Sequence, residues 1–211
     1  MNAIEPDPGS DRPLPDPDQA GSTPLETTLT HRRSRREFGH GPISLADVSQ
    51  LLWAAQGETH PDGLRTAPSA GATYPLVVRL SVAENGVPDL EPGVYRYWPG
   101  AHTLRTETSL PAQAELQRAA YDQEWVGEAP IVVAISGVVE RTAREYGPRA
   151  GDLYVPMEAG HAGENLHLQA EAVGLATVPV GGFKDEAVAS ALDLGPERPL
   201  IMYPVGQRSS E

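Results

Sequence analysis

The 211-residue chain carries 16 Lys and Arg against 29 Asp and Glu, a formal net charge of −13, with 39% hydrophobic residues and no cysteine. This length suits one domain with a sizeable core, and the lack of cysteine excludes disulfides, thiolate nucleophiles and cysteine-ligated zinc. So acidic a body repels a polyanion, and no apolar run approaches a membrane span or a secretion signal, so we expect a cytoplasmic protein with neither nucleic acid nor membrane as partner.

Residues 1–24 hold Pro6, Pro8, Pro13, Pro15, Pro17 and Pro24, and five acids against one arginine. Such a stretch buries little apolar surface, so a disordered tail is expected, dispensable for the domain over 25–211. Thr27 to Arg36 reads as a helix leading into a basic cluster. Ser44-Leu45-Ala46-Asp47 resembles a capping box, followed at helical spacing by Leu45, Val48, Leu51, Leu52 and Ala55, with Gly57 as the stop. Leu76 to Ala83 reads as a buried strand, and Gly93 to Trp98 with His102 to Glu107 as a hairpin around Pro99-Gly100. Pro111 to Tyr121 predicts a helix, Pro130 to Val139 an apolar strand, and Asp152 to Val173 the longest helix, stopped by Gly174. Leu175 to Val180, Asp185 to Leu192 and Pro199 to Val205 complete the series as strand, helix and strand. The expected class is α+β, a mixed central sheet flanked by helices, with one long central helix.

Three segments stand out chemically. Arg32-Arg33-Ser34-Arg35-Arg36 places four of the 16 basic residues within five positions. Guanidinium forks and a hydroxyl match the oxygens of a phosphate, so a phosphate-bearing cofactor competes here with a solvated charge run. Pro68-Ser69-Ala70-Gly71-Ala72-Thr73-Tyr74-Pro75 is a loop of small residues that lets backbone approach a flat ligand, or an ordinary turn. Pro179-Val180-Gly181-Gly182-Phe183 can offer positive φ and free amides, or again serve only as a turn. His161, Glu164 and His167 lack the helical spacing of a zinc site, and no metal is expected. Trp53, Trp98 and Trp125 read as core or interface aromatics.

The joint order of these segments resembles the nitroreductase-like FMN flavoproteins, and more narrowly their SagB-type branch of azoline dehydrogenases. The stretches that carry the resemblance are RRSRREF (32–38), LLWAAQG (51–57), RTAPSAGATYP (65–75), EPGVYRY (91–97), WVGEAPIVV (125–133), ERTAREYGPR (140–149), EAGHAGENL (158–166) and GLATVPVGGF (174–183). The resemblance implies a nitroreductase-like fold in which Arg32, Arg33, Ser34 and Arg36 hold the FMN phosphate and ribityl chain. Pro68, Ser69, Ala70 and Gly71 would line the isoalloxazine from a partner subunit, and Gly181 and Gly182 would present backbone near its N5 and O4. It also implies a homodimer formed through the long helix, a peptide-derived or modified-peptide substrate from ribosomal natural-product biosynthesis, and association with a cyclodehydratase complex. The branch carries a Lys-Tyr pair where this chain has Glu145-Tyr146, so the catalytic candidates are Tyr146 and Glu145. A carboxylate there shifts a tyrosine pKa opposite to an ammonium. Glu145 as the base, compensation by Arg144, and a different chemistry all stay open. Three functions follow: azoline oxidation, NAD(P)H-dependent reduction of nitro, quinone or enone compounds, and a non-catalytic scaffold subunit.

Overall fold

The computed structural model describes residues 11–209. Fifteen regular elements follow one another along these residues. In chain order they are β1 (Asp11–Pro13), α1 (Leu25–His31), β2 (Phe38–Gly39), α2 (Leu45–Gln56), β3 (Leu76–Val82), β4 (Gly93–Trp98), β5 (Thr103–Thr108), α3 (Gln113–Ala119), α4 (Glu124–Glu128), β6 (Ile131–Gly137), α5 (Val139–Tyr146), α6 (Val155–Ala172), β7 (Leu175–Thr177), α7 (Asp185–Ala191) and β8 (Arg198–Arg208). The strands form one sheet in the order β1-β5-β4-β3-β6-β8-β2, with β7 also paired to β8.

Every pairing of these strands is antiparallel, where a mixed sheet was expected. Through α5 and α6 the chain passes from β6 to β7, which runs in the same direction, but the two do not pair: each lies antiparallel against β8, so no neighbouring strands are parallel. The α+β class and the long helix hold.

Alternation along the strands separates two cores, because successive side chains point to opposite faces. Ile131, Val133 and Ile135 of β6 join β3 and the inner faces of α2 and α6 in one cluster. Val132 and Ala134 join α3, α4 and α7 in the other. β6 is buried on both faces, hence its unbroken apolar run. α2 starts at Ser44, whose side-chain oxygen accepts from the Asp47 amide at 3.0 Å. α6 approaches β8 closely at Gly163, where a Cβ would collide with the Tyr203 hydroxyl. The helix expected over 152–173 begins instead with a π-helical turn, Ala150–Tyr154, which continues into α6 with Pro156 in its first turn.

Two expectations fail near the N-terminus. Residues 11–24 are not a free tail: β1 pairs with β5, Arg105 binds Asp11 at 2.8 Å, and Leu14 is buried. Gln50 accepts from the Asp18 amide at 2.8 Å and donates to its carbonyl at 2.9 Å, and Ser49 reaches the Pro15 carbonyl. Prolines suit such an edge, where missing amides leave no gap in the ladder. The first ten residues of the expected tail lie outside the described residues. Deleting residues 1–20 would expose the Leu14 site and strip partners from Gln50 and Ser49, a loss of about 3–6 kcal/mol. Differential scanning calorimetry should show a melting temperature lower by roughly 6–24 °C; an unchanged value would mean that the strap contributes nothing.

The second failure is the helix over 27–36, which stops at His31. Tertiary bonds take the backbone beyond that point: His167 Nε2 contacts the Arg33 carbonyl at 3.1 Å and the Arg35 amide donates to Thr177 O at 3.0 Å. The arginines are therefore extended, and their side chains diverge.

Candidate flavin site

α6 is the spine of the site: its side chains contact two of the segments singled out by sequence, and it borders a cavity shared with the third. Near its start, buried Glu158 accepts the Ala70 amide at 2.9 Å. Burial raises the Glu158 pKa above the ordinary carboxylate value, and hydrogen bonds from Ala70 and Ser69 act against that rise. The loop it holds is unusual. Gly71, Ala72 and Tyr74 all have positive φ, at 58°, 52° and 43°. Non-glycine residues adopt that region only where surroundings over-determine it. Here they do: Ser69 Oγ accepts the Tyr74 amide at 2.9 Å, Thr73 Oγ1 bonds Ala70 O and Thr142 Oγ1, and Arg141 donates to Tyr74 O at 3.0 Å.

Tyr146 closes this corner. A Cβ on Gly71 would lie 2.9 Å from the Tyr146 hydroxyl, so the tyrosine tip rests on the glycine itself. Its ring packs at 5.0 Å from Tyr154, and the residue remains 42% exposed. Glu145 is also exposed, and on a helix it lies about 100° round from its neighbour. The motif ERTAREYGPR is thus largely helical, with Tyr146 at the C-terminus of α5.

Midway along α6, Pro156, Ala159 and Gly160 border a cavity of ≈ 280 Å³ shared with Gly181 and Phe183. Gly181 and Gly182 do not adopt positive φ, contrary to expectation, because the chain runs straight from the Val180–Met202 bridge toward α7. A Cβ on either would meet nothing, so this backbone is open to close approach from outside the chain.

Further along come the arginines. Arg32 lies 3.7 Å from Glu164, and Arg35 pairs with Glu171 at 2.7 Å. Glu171 also pairs with Arg208 at 2.8 Å. Burial raises the Glu171 pKa, but the two guanidiniums overcome that effect and hold it below the ordinary value. Arg33 is exposed and caps the Thr30 and Arg32 carbonyls, and Ser34 is exposed. Arg36 sits 5.4 Å from the Trp125 ring centre. Arg35, Arg36 and Arg208 together line a cavity of ≈ 530 Å³. Arg36 has no carboxylate partner among the described residues, so this cavity keeps a positive charge beyond the Arg35–Glu171–Arg208 set. Guanidinium donors around an open cavity suit a phosphate.

Glu158, Glu171 and Arg208 were missed in the sequence. Their partners lie 88 and 136 residues away for Ala70–Glu158 and Arg35–Glu171, and no local pattern marks such pairs. His167, whose burial lowers its pKa, is committed to the Arg33 carbonyl.

Comparison with known proteins decides the family. The nitroreductase family model matches residues 29–207. The chain belongs to the nitroreductase family. Membership implies a flavin-dependent oxidoreductase. MJ1384 of Methanocaldococcus jannaschii, a protein assigned as a nitroreductase, is 42% identical over 184 residues, which cover 87% of this chain and 91% of that one. The microcin B17-processing protein McbC of Escherichia coli is 25% identical over 184 residues, covering 82% of this chain and 67% of McbC. Among solved structures, a protein of Ralstonia eutropha JMP134 also assigned as a nitroreductase superposes with a TM-score of 0.83 at 29% identity, covering 96% and 91% of the two chains. A chain of the E. coli microcin synthetase McbBCD complex shares the fold, with a TM-score of 0.71 at 23% identity, over 93% and 78%. No helix among the described residues is long and apolar enough to cross a membrane.

Proposed function

We propose that this nitroreductase-family chain binds FMN and acts as a dehydrogenase that oxidises azolines to azoles on a peptide-derived intermediate. The observation that carries the reading is the Tyr146 hydroxyl seated on Gly71, which puts a proton-transfer group at the loop that would line the flavin ring. Similarity to McbC, a protein named for microcin B17 processing, supports the substrate class.

Arg36, Arg208, Arg32 and Ser34 would hold the phosphate and ribityl chain, and Ser69 to Gly71 with Gly181–Gly182 would bracket the ring. Bound FMN would supply the two-electron acceptor, with dioxygen restoring it afterwards. Tyr146 Oη would take or relay the proton lost from the azoline Cα as the hydride leaves. Glu158 would fix the loop through the Ala70 amide, keeping the ring contacts in place.

A homodimer completes the site. The loop and the cluster are anchored at Glu158 and Glu171, 13 residues apart on α6, which is about 20 Å along its axis. A flavin seated on the cluster of one chain would therefore take its ring contacts from the loop of a second. Exposed Leu25, Leu29, Leu64 and Met157 supply apolar surface for that contact.

Purified protein should be yellow, with about one FMN per chain. Colourless protein that stays colourless with added FMN would overturn the reading and favour a scaffold subunit. The direction of electron flow is a separate measurement. Rapid bleaching of the flavin by NADPH under anaerobic conditions would assign a reductase instead, the reading favoured by relatives assigned as nitroreductases. Slow bleaching by NADPH and fast bleaching by an azoline is the expected result.

A further inference from the structure

Behind the flavin-ring loop the structure holds a second basic constellation, separate from the arginine cluster and drawn from a loop, a strand and a helix. Arg65 in the loop after α2, Arg96 and Trp98 of β4, and Arg141 of α5 line a cavity of ≈ 90 Å³ with Gln56 and the first residues of β3. That is roughly three waters' share of liquid, at ~30 Å³ each. It admits a small oxyanion and excludes a nucleotide.

Among the described residues, Arg65, Arg96 and Arg141 form no ion pair, whereas neighbouring Arg79 is neutralised by Glu107 and Glu197 and Arg105 by Asp11. Two polar atoms of the lining, Arg65 Nε and Trp98 Nε1, are buried with no hydrogen-bond partner. A buried donor left unmatched is unfavourable, and two around one small cavity are uncommon in a native protein. Burial is the chief cause that lowers the pKa of both Arg65 and Arg96; Glu58 near Arg65, and Glu197 and Glu107 near Arg96, act against it, and the Arg141 charge adds a smaller lowering to each. In a chain of net charge −13, three mutually repelling guanidiniums around one cavity are the reverse of the surrounding field.

We propose that Arg65, Arg96, Arg141 and the Trp98 indole N–H form a binding site for a small oxyanion, a phosphate-like ion or a carboxylate. The ion accepts from guanidinium forks and from the two orphaned N–H groups, converting repulsion into charge-assisted hydrogen bonds. The site also has a reach into the loop. Arg65 stacks 4.5 Å from the Tyr74 ring centre and Arg141 donates to the Tyr74 carbonyl, so both guanidiniums grip the left-handed residue that ends the loop. A bound anion would stiffen that grip from behind. The inference stands on these residues alone and does not need the flavin reading.

The test is thermal unfolding of the full chain titrated with sodium phosphate, sodium acetate or sodium chloride at constant ionic strength, with and without saturating FMN. At thirtyfold excess over its dissociation constant, phosphate should raise the melting temperature by about 4 °C or more in a saturable way. That rise should persist in saturating FMN and in Arg36→Ala, and with FMN bound it should disappear in Arg141→Gln and in Arg96→Gln. Arg141 is exposed, so Arg141→Gln keeps the test valid if the Arg96 variant folds poorly. A stronger effect of phosphate than acetate assigns a free tetrahedral ion, and the reverse order assigns the acidic end of a larger ligand. Equal, non-saturating shifts with all three salts would overturn the site. So would a shift abolished by FMN, or one untouched by both Arg141→Gln and Arg96→Gln.

Discussion

Tyr146→Phe should lower turnover roughly 10²–10⁴-fold while leaving flavin content unchanged, the range expected when one positioned acid–base group is removed. The change deletes a single oxygen and keeps the ring that packs against Tyr154 at 5.0 Å, so the fold of α5 should survive. The hydroxyl lies on Gly71, where a residue with any side chain would displace it. Proton transfer depends steeply on placement, so the close seating of Tyr146 on the loop makes its oxygen the group most exposed to loss. Glu145→Gln is the matched control. Glu145 is exposed and its carboxylate makes no hydrogen bond or ion pair among the described residues, so its variant should retain the rate within about threefold. A Glu145→Gln defect as large as that of Tyr146→Phe would make the carboxylate the base and the tyrosine its helper. Near wild-type turnover for both, with an azoline that the native protein oxidises, would remove α5 from the chemistry. Steady-state rates and the flavin absorbance of each variant decide among these outcomes.

The elements legible in the sequence are those whose local pattern and tertiary environment agree. Val48, Leu51, Leu52 and Ala55 recur at helical spacing because one face of α2 packs into the core shared by α6 and the strands, and Ser44 marks its start. Pro99-Gly100 marks the β4–β5 turn for the same reason. β1 escaped because an edge strand of Asp-Arg-Pro has no apolar alternation, and its order comes from Asp11–Arg105 and from Leu14. α5 also escaped as a helix: in Val139–Tyr146 only Thr142 is buried, so no apolar stripe announces it. The candidate site follows the same division. Its loops are visible as composition, whereas Glu158, Glu171 and Arg208 act through partners distant in sequence. Positive φ was expected of Gly181 and Gly182 from composition, yet within the candidate site it is found at Gly71, Ala72 and Tyr74, imposed by the bonds around Ser69 and Thr73.

Replacing Arg36 with Ala should weaken FMN about ten- to a hundredfold, as should replacing Arg208, because each removes a charge-assisted hydrogen bond of roughly 1.5–3 kcal/mol. Arg36 is the cleaner test. It has no acid partner among the described residues, so its deletion leaves no orphaned carboxylate, only the exposed face of Trp125. Arg208 shares Glu171 with Arg35, so its removal leaves Glu171 paired with Arg35 alone and takes one positive charge from the cavity, as the loss of Arg36 does. The two variants should accordingly bind FMN about equally weakly. If both guanidiniums grip one phosphate, the double variant should lose less than the sum of the single losses, since each single change already loosens the anion that the other holds. Riboflavin, which lacks the phosphate, should bind wild type and Arg36→Ala with equal affinity. FMN fluorescence quenching measures all of these constants. An unchanged FMN affinity in both single variants, or an equal loss of riboflavin affinity, would place the phosphate elsewhere than the Arg35, Arg36 and Arg208 cavity.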